Sequence, residues 1–169
     1  ILTRQMSAIQ GPKYLRIDKG SAGSQEKPLD VNLGRGRILR EGSDLTIVSI
    51  GSILSESLKA AKILADSGVE ARVLSLNTLK PFDESVIFDA CQETGGLISI
   101  EEHIEVGGLA GSISEACLSS GITPAFFYKI GLKDEYPTIV GDQKYLRDAY
   151  NLNSKKIVSI ALSAIKRSK

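Results

Sequence analysis

The sequence predicts an α/β fold, and three observations predict it. Four short apolar runs, at 45–50, 71–76, 97–100 and 125–130, start 26, 26 and 28 residues apart; each is rich in Val, Ile, Leu or Phe and too short for a helix. The segments between them carry apolar residues at helical spacing, and glycines close those segments before the next run begins. Strand, helix, strand therefore repeats three times, the crossover length that parallel neighbours need, with helices covering both faces of the sheet.

Each element has its own warrant. Leu54, Leu58, Ala61 and Ala65 fall at i, i+4, i+7 and i+11, a helix stripe closed by Gly68. Val86, Ile87, Ala90 and Cys91 mark the second helix, ended by Gly95 and Gly96; Leu109, Ile113, Ala116 and Cys117 mark the third, ended by Gly121. Upstream, 37–40 is a short strand joined to Leu45 through Glu41-Gly42-Ser43-Asp44, a tight-turn composition, so one antiparallel strand is expected on the parallel sheet. Downstream, 143–150 suits a short helix, and Ile157, Ile160, Ala161, Ala164 and Ile165 mark a terminal one capped by Asn153 or Ser154. The first 32 residues differ: 12–17 reads as a lone strand after a possible helical end, and the polar stretch from Lys19 to Pro28 reads as a linker. A strand with no sheet of its own resembles the last strand of a preceding domain. The expected division is a remnant at 1–18, a linker at 19–34 and one α/β domain at 35–169.

Composition narrows the function classes. With 169 residues, 42% of them hydrophobic, the chain can bury one core but not two full domains. A net charge of +1 provides no global field for nucleic acid or an anionic membrane, so any charged ligand must meet a local site. No apolar run is long enough to span a bilayer, and no signal-peptide pattern opens the chain. Cys91 and Cys117 are too few for a disulfide framework and match no zinc spacing, which makes a reducing cytoplasm the expected compartment. The chain opens on Ile1 rather than methionine, as a fragment or processed product would.

His103, the one histidine, lies between the end of a strand and the start of a helix, the edge where open α/β sheets bind ligands. With Glu101, Glu102 and Glu105 beside it, the ring has a structural or interface reading, a substrate-contact reading and a metal-ligand reading; the last lacks a second histidine or a usable cysteine. Gly107-Gly108-Leu109-Ala110-Gly111 opens a helix after a strand as dinucleotide-binding loops do, but Val106 replaces the first glycine and the neighbouring glutamates would repel phosphate. Close helix-to-strand packing is the alternative. Gly51-Ser52 offers a second anion nest or a tight turn. Cys91 and Cys117 sit on apolar helix stripes and read as buried, inert thiols. Nucleophile-elbow, P-loop and zinc-deaminase signatures are absent.

The order of segments and five strings together resemble one superfamily. The strings are Gly11-Pro12-Lys13-Tyr14-Leu15-Arg16-Ile17; the stretch from Gly34-Arg35-Gly36-Arg37 through Ser49-Ile50-Gly51; Asn77-Thr78-Leu79-Lys80-Pro81-Phe82-Asp83; Glu101-Glu102-His103; and Gly107 to Gly111. From Gly11 to its end the chain resembles the C-terminal part of transketolase-like thiamine-diphosphate enzymes. The resemblance implies a three-layer domain with a five-stranded, mostly parallel sheet carrying one antiparallel strand. It also implies a parent enzyme that moves a two-carbon ketol unit between sugar phosphates, within which this domain serves dimerisation and scaffolding. Thiamine diphosphate and Mg²⁺ would be held by missing N-terminal domains or a separate subunit, with a homodimer partner, so this chain alone should bind neither and be inactive. By the same resemblance Arg16 matches an arginine that meets the substrate phosphate, against the plain reading of a surface arginine; related 2-oxo-acid decarboxylating enzymes place a C-domain histidine near the active site, which implies that His103 neighbours substrate in the dimer. Rival parents are 1-deoxy-D-xylulose-5-phosphate synthase and the beta chain of a 2-oxo-acid dehydrogenase. A stand-alone anion-binding module is the rival of another class.

Overall fold

The computed structural model describes residues 1–18 and 31–168. Five strands, β1 (Arg37–Arg40), β2 (Leu45–Ile50), β3 (Ala71–Leu76), β4 (Leu97–Ile104) and β5 (Phe127–Leu132), form one sheet in the order β1-β3-β2-β4-β5. β2 pairs in parallel with β3 on one side and β4 on the other, and β4 pairs in parallel with β5. β1 is the one antiparallel strand. The helices are α1 (Leu2–Ala8), α2 (Leu54–Ala65), α3 (Glu84–Glu93), α4 (Leu109–Ser120), α5 (Gln143–Ala149) and α6 (Ser154–Ser168).

The strand period of two sorts the apolar side chains into two cores. Leu45, Ile47, Val73, Ile98 and Ile100 point to one face, where they meet Ala60, Ala61 and Leu64 of α2 and Ile157 and Ala161 of α6. Val48, Leu74, Leu76 and Leu97 point to the other, against Ile87 and Ala90 of α3 and Leu109, Ile113 and Cys117 of α4. The result is the expected three-layer arrangement. β2 is buried along almost its whole length because helices cover it on both faces, which is why it reads as an unbroken apolar run. The Asn153 side chain caps α6 by accepting from Lys156 N–H at 3.0 Å, and Gly121 ends α4 in the left-handed conformation.

Four expectations need correction. The turn after β1 does not close a hairpin with its neighbour in sequence: β1 crosses to pair with β3, Arg37 opposite Ser75, because both edges of β2 are already taken, one by β3 and the other by β4. β4 does not stop at Ile100 but continues to Ile104, with Ile104 opposite Leu132 and Glu105 N–H donating to the Leu132 carbonyl at 2.8 Å. Its polar end is invisible to a search for apolar runs. β5 is displaced towards the C-terminus, beginning at Phe127, while Phe126 packs its ring over Gly96. Residues 12–17 form no strand; Tyr14 and Ile17 are exposed, since no sheet edge is offered to them. The helical end before them is α1, tied to the body through Gln5, which donates to the Val31 carbonyl and accepts from Leu33 N–H, both at 2.7 Å. Of the expected linker, residues 19–30 lie outside the described residues.

Entry into β1 is fixed by Asp83, buried at the start of α3. Its carboxylate accepts from Gly36 N–H at 2.8 Å and Ser85 Oγ at 2.7 Å, with Arg35 at 3.6 Å. Burial pushes its pKa up, but the bonds from Ser85 and Gly36 and the charge of Arg35 outweigh this and hold the carboxyl below the usual range. A depressed carboxyl pKa contributes stability that is present at neutral pH and lost as pH falls through the folded-state value. Asp83→Asn should therefore lower the neutral-pH thermal midpoint and flatten the acid limb of a stability-against-pH curve; Asp83→Ala should cost about 1–2 kcal/mol in urea unfolding at pH 7.

Candidate functional site

The C-terminal ends of β2 and β4 define the site edge, and a single carboxylate organises it. Glu101, 2% exposed, accepts from Leu109 N–H at 2.8 Å and Ala110 N–H at 3.1 Å, the first free donors of α4. A Cβ on Gly108 would lie 2.0 Å from a Glu101 oxygen, so only glycine lets the helix start approach the strand this closely. The glycine run after β4 is therefore a packing device whose anion is the protein's own. This removes the dinucleotide reading of that run and the nest at Gly107 on which the anion-module reading drew.

One residue on, the strand alternation turns Glu102 to the opposite face, where α5 supplies its partners. Arg147 forms a two-pronged ion pair with it, Nε to Oε1 at 2.7 Å and Nη2 to Oε2 at 3.0 Å. Ser52, in the 3₁₀ turn Gly51–Ile53 after β2, donates to Glu102 at 3.0 Å and accepts from Arg147 Nη2 at 2.8 Å. Gln143 donates to Asp18 at 3.1 Å and to Glu102 at 3.3 Å, and Ser52 also contacts Asp18. Burial pulls the Arg147 pKa down, but the hydrogen bond and charge of Glu102, with Glu56 and Asp18 behind it, carry it above arginine's usual value. Beside this network lies a cleft of about 580 Å³ whose walls include Arg16, Glu102, Leu132, Arg147 and Tyr150.

The two residues singled out from the sequence meet at the same edge although 87 positions apart: Arg16 Nη1 lies 3.2 Å from His103 Nδ1 and also contacts Nε2. His103 sits on β4 itself rather than in the loop beyond it. Partial withdrawal from water and then the Arg16 charge push its pKa below the ordinary value, against the pull of Glu101 and Glu102. At neutral pH the ring is uncharged and accepts from the guanidinium, leaving the arginine's positive charge uncancelled by it. The sequence reading missed Gln143 and Arg147; it offered Ser52 only as part of an anion nest or a tight turn, whereas its hydroxyl is a partner of Glu102 and Arg147. The i, i+4 spacing of Gln143 and Arg147 on α5 was the only available signal, and that spacing equally suits a solvated face.

The carboxylates at this edge do not fit a Mg²⁺ site. Glu101 is engaged by α4 and Glu102 by Arg147, and among the described residues no group of three or more His, Cys, Asp or Glu side chains could hold a metal ion. Among the described residues, no helix is long and apolar enough to cross a membrane.

Residues 34–157 match the family model described as transketolase, C-terminal domain. The chain belongs to this family. It is 35% identical over 164 residues to a 6-deoxy-6-sulfo-D-fructose transketolase subunit of a Clostridium species, covering 96% of this chain and 50% of that protein. It is 34% identical over 157 residues to 1-deoxy-D-xylulose-5-phosphate synthase of Desulforudis audaxviator, covering 91% of this chain and 25% of the synthase. Among solved structures, a split-gene transketolase described as an inactive beta4 tetramer superposes with a TM-score of 0.89 at 28% identity, over 99% of this chain and 55% of that one. The chain thus spans about half or less of the length of these two curated relatives.

The same geometry fixes the sign of substitutions at three positions. Glu101→Ala orphans two buried helix donors and should cost about 2 kcal/mol in chemical unfolding, with Glu101→Gln retaining part of it. Gly108→Ala, which drives a methyl into that carboxylate, should also destabilise, by about 1–3 kcal/mol. For His103 the sign is set by the lowered pKa: the unfolded chain binds its proton first, so stability rises with pH through the window just below about 6.5 and falls on acidification. Because the ring is largely open to water the slope should be shallow, and His103→Gln should abolish it in thermal melts between pH 5 and 7.

Proposed function

We propose that this chain supplies the C-terminal portion of a transketolase-type transferase that moves a two-carbon ketol unit between sugar phosphates, with Arg16 and His103 at the substrate edge. The observation that carries the reading is the Arg16–His103 contact at the C-terminal end of β4. A guanidinium resting on a neutral imidazole keeps its charge and its donor fork for a phosphate, the chemistry for which arginine is suited. The family membership and the resemblance to subunits of two-part transketolases support the same assignment.

In this reading residues 1–18 complete a preceding domain, residues 19–34 link it to the domain at 35–169, and that domain scaffolds and dimerises the enzyme in a reducing cytoplasm. Thiamine diphosphate and Mg²⁺, which would supply the electron sink for the ketol carbanion, are held by other segments or by a partner subunit. The likeness to a 1-deoxy-D-xylulose-5-phosphate synthase favours that enzyme as the second reading, with the same role for Arg16.

The test is kinetic, in the complete enzyme. Arg16→Ala should raise KM roughly tenfold or more for a phosphorylated ketose, in line with the loss of a charge-assisted contact, while leaving an unphosphorylated analogue nearly unaffected. Equal effects on both substrates would remove Arg16 from the phosphate site.

A further inference from the structure

The two cysteines read from the sequence as separate inert thiols are in fact neighbours. Cys91 on α3 and Cys117 on α4 place their sulfurs 3.8 Å apart, across the contact between the two helices that cover one face of the sheet. A disulfide needs about 2.05 Å between sulfurs, so the gap to close is small beside the reach of two side-chain rotations. The thiols differ in access: Cys117 is 4% exposed and Cys91 is half-buried. One thiol is therefore placed to be reached by a small oxidant and the other to be shielded behind it.

We propose that Cys91 and Cys117 form a reversible dithiol that cross-links α3 to α4 when peroxide oxidises it. The balanced sequence has two steps. The Cys91 thiolate attacks one oxygen of hydrogen peroxide, breaking the O–O bond to give the Cys91 sulfenic acid and hydroxide, which takes up the proton the thiol released. Cys117 sulfur then attacks the sulfenic sulfur; the S–O bond breaks, water leaves with the Cys117 proton, and the disulfide forms. In sum, two thiols lose two electrons and two protons, and one peroxide becomes two waters. Burial, with Cys117 beside it, pushes the Cys91 thiol up to about 12, so the thiolate is scarce at neutral pH and the first step is slow and steeply pH-dependent. The cross-link closes a loop that contains β4 and the Glu101-capped start of α4, so it braces the strand that carries Glu102 and His103 without touching either residue.

The test treats the full chain with hydrogen peroxide, quenches with catalase, alkylates free thiols and maps peptides without reduction. Trypsin leaves both cysteines on one peptide, since no cleavable Lys or Arg lies between Lys80 and Lys129; cleavage after glutamate separates 85–93 from 116–135. The expected product is those two peptides joined, lighter by two hydrogens and released by dithiothreitol, with a rate that climbs about tenfold per pH unit between 7 and 9. Oxidised chain should melt several degrees higher than reduced chain. Cys117→Ser should accumulate a dimedone-trapped sulfenic acid on Cys91, and Cys91→Ser should leave Cys117 unmodified. Three results would overturn the proposal: no reaction of either thiol in the folded chain, over-oxidation of Cys91 in the native chain with Cys117 free, or equal sulfenic acid in the native chain and Cys117→Ser. Should a serine variant fail to fold by circular dichroism, the native chain's peptide map decides by itself.

Discussion

The carboxylate of Glu101, buried against the opening turn of α4, is the interaction on which the geometry of the site edge depends. A helix start presents donors without internal partners, and burying them beside a strand is tolerable only if something accepts their hydrogen bonds. Glu101 does so from within β4, which couples the strand end to the helix start. Once Glu101 faces α4, the pleat turns Glu102 towards α5, where Arg147 meets it. One buried anion therefore orients two carboxylates to opposite faces and brings His103 to the end of the strand.

Around that constraint the site is assembled from segments distant in sequence. Asp18, Ser52, Glu102, Gln143 and Arg147 come from the N-terminal segment, the turn after β2, the end of β4 and α5, and each is held by at least two of the others. Among the described residues charges here are largely matched internally, and the Arg16 guanidinium is set against an imidazole instead. In the proposed reading such an edge positions a substrate anion, while the bond-breaking chemistry belongs to other segments of the enzyme. That division of labour accords with a domain whose relatives carry at least as much chain again elsewhere.

The arrangement also explains why polar residues at the edge resist a sequence reading. Hydrophobic periodicity reports burial against helices, so it marks 45–50 and 71–76 to the residue but stops at Ile100, where β4 turns polar and continues. The exposed stretch at 12–17 errs in the opposite sense: its alternation suits a strand, yet a strand exists only where a neighbour supplies hydrogen bonds.

The sequence by itself determined the α/β class, the four parallel strands, the helices between them, the one antiparallel strand, the family, and Arg16 and His103 as the residues to watch. These are local or periodic properties, written in the spacing of apolar side chains and in short strings. Tertiary structure alone decided that β1 joins β3, that Glu101 serves α4 rather than a ligand, that Arg147 belongs to Glu102, and that Cys91 lies against Cys117. Each of those is a pairing between residues distant along the chain, and the hydrophobic pattern that folds the chain carries no term for which polar side chain will meet which.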